Sequence, residues 1–97
     1  MSVTILLEMQ VKPEAVGEMK SLLKKLLPDT RAYDGCQSVD IYSNMEDSGN
    51  LVFCESWESR KHYESYMAWR NKSGTMNEMG TMLAGASSVR YLERLDI

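Results

Sequence analysis

The chain has 97 residues, enough for one small domain over residues 1–97. It is 43% hydrophobic and 26% charged, with formal charge −3 and a pI near 5.1. That is an ordinary globular composition without a basic stripe, which argues against nucleic acid or an anionic membrane as partner, and no apolar run is long enough to span a bilayer.

Val3, Ile5, Leu7, Met9 and Val11 alternate with Thr4, Leu6, Glu8 and Gln10, which predicts a strand with one strongly apolar face. Lys12-Pro13-Glu14 starts a helix, with proline suited to the first helical position and glutamate to the positive end of the dipole. Val16, Met19, Leu22, Leu23, Leu26 and Leu27 form its buried stripe, while Lys20, Lys24 and Lys25 lie outside it as a solvated face. Pro28 ends or kinks this helix; Asp29 to Tyr33 could resume it before the stop at Asp34-Gly35.

Gln37 to Asn44 reads as the second strand, and Met45 to Asn50 as a polar turn leading into a third strand, Leu51 to Trp57. Ser59 can cap a second helix that runs to about Arg70, where Asn71-Lys72-Ser73-Gly74 breaks it. A shorter helix from Met76 to about Leu83 carries Met76, Met79, Met82 and Leu83, with Gly80 as its weak point. Gly85 opens the last strand, Ser87 to Leu95. The order is βαββαβ with an extra short helix before the final strand, which predicts a ferredoxin-like α+β sandwich on an antiparallel four-stranded sheet. Helices cover one face. Leu6, Val52, Cys54 and Leu92 point to the other, and a second copy of the sheet is the simplest cover, giving a homodimer.

The stretch from Leu51 to Arg70 concentrates the chemistry. Alternation puts Leu51, Phe53, Glu55 and Trp57 on one strand face. Helical spacing puts Tyr63, Tyr66, Met67 and Arg70 on one helix face, with His62 and Trp69 beside Tyr66. Either these rings wall a pocket, in which Trp57, Tyr66, Met67, Trp69 and Arg70 hold a substrate, or they form an ordinary aromatic core. Glu55 falls on the helix-covered face, where a carboxylate is costly unless bonded; it is a structural acceptor or a general base of raised pKa. Histidine is the side chain whose unperturbed acidity lies near neutrality, so His62 is a catalytic candidate or a solvent-facing residue. Tyr63 suits hydrogen bonding and proton donation. Arg70 suits holding a phenolate, or is a surface cation at a helix end. Eight methionines can line an irregular cavity or simply fill the core.

Met1 to Gln10 lacks the layout of a signal peptide, and Cys36 and Cys54 read as reduced and packed, which suits a cytoplasmic protein. One histidine and two distant cysteines do not supply a metal site. No Gly-rich phosphate loop, Ser/His/Asp set or paired-cysteine motif is present.

Gly35-Cys36 after the first helix, and Phe53-Cys54-Glu55-Ser56-Trp57-Glu58-Ser59 entering the second, resemble the antibiotic biosynthesis monooxygenase family over nearly the whole chain. The resemblance implies a dimeric α/β barrel with a pocket in each subunit between helices and sheet. It implies oxidation of a phenolic or quinol-type substrate by O2 without metal, haem or flavin. Trp57 and Tyr63 resemble pocket-lining aromatics of polyketide-oxidising members. Quinol-oxidising members carry a histidine at about the place of Tyr66; here His62 lies one turn earlier and would substitute only with its ring turned inward. Haem-degrading members need a histidine near Met76 and an amide on the first strand, and neither is present. The expectation is therefore a cofactor-independent monooxygenase acting on a small aromatic molecule and O2. The alternatives are a non-catalytic dimeric binding module, and an isomerase or cyclase using the same pocket.

Overall fold

A computed structural model describes residues 2–97, and Met1, the first residue of the expected domain, lies outside the described residues. The first strand, β1 (Val3–Gln10), buries Ile5 and Met9 on one side, as the alternation requires, and leaves Leu6 half-buried on the other. A 3-10 turn (Pro13–Ala15) leads into α1 (Val16–Ala32), followed by β2 (Cys36–Asn44), β3 (Asp47–Trp57), α2 (Arg60–Lys72), α3 (Thr75–Gly80) and β4 (Ser88–Leu92). The strands lie in the order β2-β3-β1-β4 and every neighbouring pair is antiparallel. This is the ferredoxin-like sandwich that the order of elements predicts.

Pro28 does not end α1. The helix runs through it to Ala32, although the proline has no N–H to donate. Long-range bonds hold the turn that follows. Arg31 Nη2 donates to the Val39 carbonyl of β2 at 2.9 Å, and Thr30 is bonded by Tyr66 and Arg70 of α2. Local propensity favours a stop at this proline, and tertiary contacts outweigh it.

Further boundaries differ from expectation: α2 runs through Asn71 to Lys72 before the break at Ser73-Gly74, and β2 starts at Cys36, one residue early. β3 starts at Asp47, four residues early, because Asn44 pairs with Asp47 and leaves only Met45-Glu46 as the turn. Gly49 lies within that strand and is buried; a Cβ there would stand 2.7 Å from the Val11 carbonyl oxygen, so only glycine allows the approach. The short helix stops at Gly80, since the chain beyond it turns to β1: Lys12 donates to the Met82 carbonyl at 2.8 Å, and Ala84 donates to that of Gln10 at 2.8 Å. β4 ends at Leu92 rather than Leu95, where its pairing with β1 reaches Thr4.

The core divides into two clusters. One packs Met9, Met19, Leu22, Leu23, Leu51, Phe53 and Met79 under α1 and α3. The other packs Ile5, Trp57, Tyr63 and Tyr66 under α2. On the opposite face of the sheet Leu6, Val52 and Cys54 are half-buried and Leu92 is exposed.

Candidate functional site

Glu55 lies in the middle of β3, paired with Ile5 on one side and Val39 on the other, both of them buried. The period-two alternation forces its carboxylate onto the helix-covered face, where the residue is only 5% exposed. Trp57, two residues on, shares that face, and its Nε1–H donates to Glu55 Oε1 at 2.9 Å. No other hydrogen bond reaches this carboxylate from the described residues. Burial raises the Glu55 pKa above the usual glutamate value; the indole bond acts the other way and is the smaller effect.

Ser59 caps α2, accepting from the His62 N–H at 3.2 Å, and so fixes the phase of the helix. Tyr63, Tyr66 and Arg70 are consequently its buried residues. Tyr63 is 2% exposed and its hydroxyl has no hydrogen-bond partner among the described residues. Burial, and after it the charge on Glu55, push this hydroxyl above the usual tyrosine range, so Tyr63 keeps its proton at neutral pH. Tyr66 instead meets Thr30 of α1, Oη to Oγ1 at 2.7 Å. Arg70 donates from Nε to Tyr66 Oη at 2.9 Å, and from Nη2 to Thr30 Oγ1 and the Leu26 carbonyl, each at 3.0 Å.

A cavity of about 270 Å³ lies along the seam between the two core clusters. Leu7, Met9, Leu23, Phe53, Met76 and Met79 give it apolar walls. Glu55, Tyr63, Tyr66, Thr30 and Arg70 are polar residues of its lining, and Met67 borders it. An apolar cleft with a few convergent polar groups, one of them a carboxyl of raised pKa, has the character of a small-molecule site.

The structure thus brings Glu55, Tyr63, Tyr66, Met67 and Arg70 together and leaves three candidates off the wall. Trp57 is fully buried behind it, with ring centroids 5.6 Å from Tyr63, 5.1 Å from Tyr66 and 6.3 Å from Tyr33. Its role is that of a donor to Glu55 and a wedge in the aromatic cluster. Trp69 stacks on Tyr33 at 5.3 Å toward solvent. His62 turns away from the cavity, with Nδ1 2.6 Å from Ser59 Oγ and Nε2 3.9 Å from Asp34 and 3.8 Å from Glu58. Its ring rests against Gly35, where any Cβ would collide with it. Helical phase explains the outcome: one position before the buried Tyr63 is 100° round the helix, and that direction faces the α1–β2 turn.

Arg70 is no surface cation: it is 3% exposed. Thr30 is a wall residue that the sequence pattern did not single out. The signal was its place four residues beyond Leu26, on the extension of the buried stripe past Pro28. Among the described residues, no group of three His, Cys, Asp or Glu side chains is placed to hold a metal ion, and no helix is long and apolar enough to cross a membrane.

The family model for antibiotic biosynthesis monooxygenases matches residues 2–73. A Mycobacterium tuberculosis protein named "Putative monooxygenase Rv0793" is 29% identical over 94 residues, 97% of this chain and 92% of that protein. The solved structure of Rv0793 superposes with a TM-score of 0.87 at 27% identity, covering 100% of this chain and 98% of the other. The crystal structure of an antibiotic biosynthesis monooxygenase gives a TM-score of 0.88 at 20% identity over 96% of this chain and 98% of that one. A conserved protein from Methanosarcina mazei Go1 gives 0.88 at 20% identity, over 97% and 93%. The last two likenesses speak to the fold.

Proposed function

Because the chain belongs to the antibiotic biosynthesis monooxygenase family, we propose that it is a cofactor-independent monooxygenase acting with O2 on a small aromatic, quinol-type substrate. The observation that carries the reading is the pair Glu55 and Tyr63. Glu55, whose buried carboxyl has a raised pKa, and Tyr63, whose buried hydroxyl is unpartnered among the described residues, are both lining residues of one apolar cavity. Cavity size supports a ring of modest extent. A cavity of roughly 150 Å³ accepts benzene, so about 270 Å³ suits one or two rings.

The chemistry balances within the substrate and O2. An activated CH2 carbon, as in the keto form of a phenol, gives a proton to the Glu55 carboxylate and leaves an enolate. The enolate passes an electron to O2, and a C–O bond forms between the resulting pair. The O–O bond then breaks as the second hydrogen leaves the carbon. One oxygen remains as a new carbonyl, and the other departs as water with the two hydrogens. A raised pKa brings Glu55 closer to the acidity that such a transfer needs. Tyr63, protonated, donates to the developing oxyanion, and the apolar walls exclude water from it.

We place the site in a homodimer. Leu6, Val52, Cys54 and Leu92 on the uncovered sheet face support sheet-to-sheet pairing, and the family's barrel geometry agrees. One observation favours a second reading, a dimeric binding or proton-transfer module: His62, the chain's one histidine, is not on the cavity wall.

The test is oxygen uptake by the chelated protein with a panel of quinols and anthrone- and naphthol-type phenols. Saturable uptake, one labelled oxygen from O2 in each product, and loss of turnover by at least about a hundredfold in Glu55→Gln support the proposal. Ligand binding without uptake supports the binding module, and isomeric products without O2 consumption support the proton-transfer reading.

A further inference from the structure

The Arg70 guanidinium is a buried charge without a counter-charge. It is 3% exposed, and among the described residues no carboxylate lies within salt-bridge distance of it. Its acceptors are all neutral: Tyr66 Oη, Thr30 Oγ1 and the Leu26 carbonyl. A cation in such a place is costly, because neutral acceptors and the faces of Trp69 and Tyr66, 4.5 Å and 5.3 Å away, compensate it only in part.

Counting hydrogens shows what is left over. Thr30 Oγ1 and Tyr66 Oη share one hydrogen bond at 2.7 Å in which either hydroxyl can donate, and each also accepts from Arg70. Arg70 uses Nε and Nη2. Nη1, with two hydrogens, has no acceptor among the described residues. The cluster lines the cavity, and its spare groups are donors on a positive charge. A merely structural Arg70, tying the last turn of α1 to α2, needs only the bonds from Nε and Nη2 and no free charged donor.

We infer that Arg70, held by Thr30 and Tyr66, is an oxyanion subsite, and that the ligand of this cavity carries a negatively charged oxygen, a carboxylate or an ionised phenol, on its ring. The subsite deepens the proposed function, since it rests on the same cavity and defines the class of aromatic it takes. Guanidinium geometry matches two oxygens or one oxygen between two N–H groups, so the anion is fixed in direction as well as in place. Glu55, Tyr63 and Tyr66 are the other titratable groups on the wall. Glu55 makes neither a hydrogen bond nor a salt bridge to Arg70, so it does not fill the role of counter-ion.

The test is binding, which needs neither O2 nor turnover. Affinities of the full-length protein for naphthoate and for its neutral counterpart naphthylmethanol are measured by calorimetry, and naphthol is added as a spectroscopic probe. Wild type binds naphthoate at least about tenfold more tightly than the alcohol. Arg70→Gln, checked for folding by its melting curve, brings the two affinities within about threefold, and Arg70→Lys keeps part of the preference. Bound naphthol shows the phenolate excitation band at a pH where free naphthol is protonated. Preference for naphthoate alone assigns the subsite to carboxylates, and the phenolate band extends it to phenols. Should Arg70→Gln not fold, the two wild-type measurements decide. Equal wild-type affinities together with a neutral bound naphthol overturn the inference, and so does a preference that survives in a folded Arg70→Gln. If oxygen uptake fails while the anion preference holds, the monooxygenase reading falls and the subsite stands.

Discussion

Trp57 and Glu55 stand two residues apart on one face of β3, and the indole Nε1–H reaches the buried carboxylate at 2.9 Å. This bond opposes the effect of burial on Glu55, so removing it has a direction. In Trp57→Phe the Glu55 pKa rises further, and the limb of the pH–rate profile that reports its ionisation moves to higher pH. A carbon-detected titration of the labelled carboxyl gives the same shift without turnover. The lost ring volume costs stability on the order of 2 kcal/mol. An unmoved titration in the folded variant would mean that the hydrogen bond carries no weight.

Glu55 also makes folding depend on pH with a defined sign. Its pKa is raised in the folded chain and ordinary in the unfolded one. Below the ordinary glutamate range both states hold the proton and the group contributes nothing. As pH rises from that range through the raised native value, the unfolded chain releases its proton first, and stability falls; above that window the loss is constant. Glu55→Gln still accepts from Trp57 and has no such slope. Its melting temperature matches that of wild type in acid and exceeds it at neutral pH, in melting curves taken from about pH 3 to 8.

Tyr63 carries a cost that its removal relieves. The buried hydroxyl has no partner among the described residues, so Tyr63→Phe gains roughly 1 kcal/mol of stability, or about 4–8 °C in a domain of this size. The same variant loses turnover, because the proposed donor to the oxyanion is gone. A variant both less stable and fully active would contradict each half of this account.

Elements are legible in the sequence wherever one period runs without interruption. Leu51, Phe53 and Trp57 announce the buried face of β3, and alternation alone carries Glu55 onto that face with them. Ser59 likewise marks the start of α2. Pro28 leaves two outcomes open, an end or a resumed helix, and the helix continues, with Arg31, Thr30, Tyr66 and Arg70 bonding its last turn to β2 and α2. Asp47 to Asn50 reads as turn chemistry although it pairs as strand, since pairing depends on partners in β1 and β2. The resting place of His62 and the existence of the cavity depend on helix phase and on what fails to meet in the interior. Neither is encoded in any short stretch.

The uncovered face of the sheet supplies a test of assembly. Val52 lies between Glu8 of β1 and Tyr42 of β2 on that face. In Val52→Lys the new ammonium sits beside Glu8 in a single chain, but in a dimer it would be buried against a second sheet. Light scattering is expected to give the mass of one chain, 11.1 kDa, for the variant and twice that for wild type. The far-ultraviolet spectrum should be unchanged.

The seam between the two core clusters has a mechanical consequence. Where most domains of this length interlock around one centre, Met9, Leu23 and Phe53 are parted from Tyr63 and Tyr66 by a hollow. A molecule seated there would supply the interior packing that the chain itself omits. Occupancy and stiffness then rise together, and amide exchange along α2 becomes a gauge of whether the hollow is full.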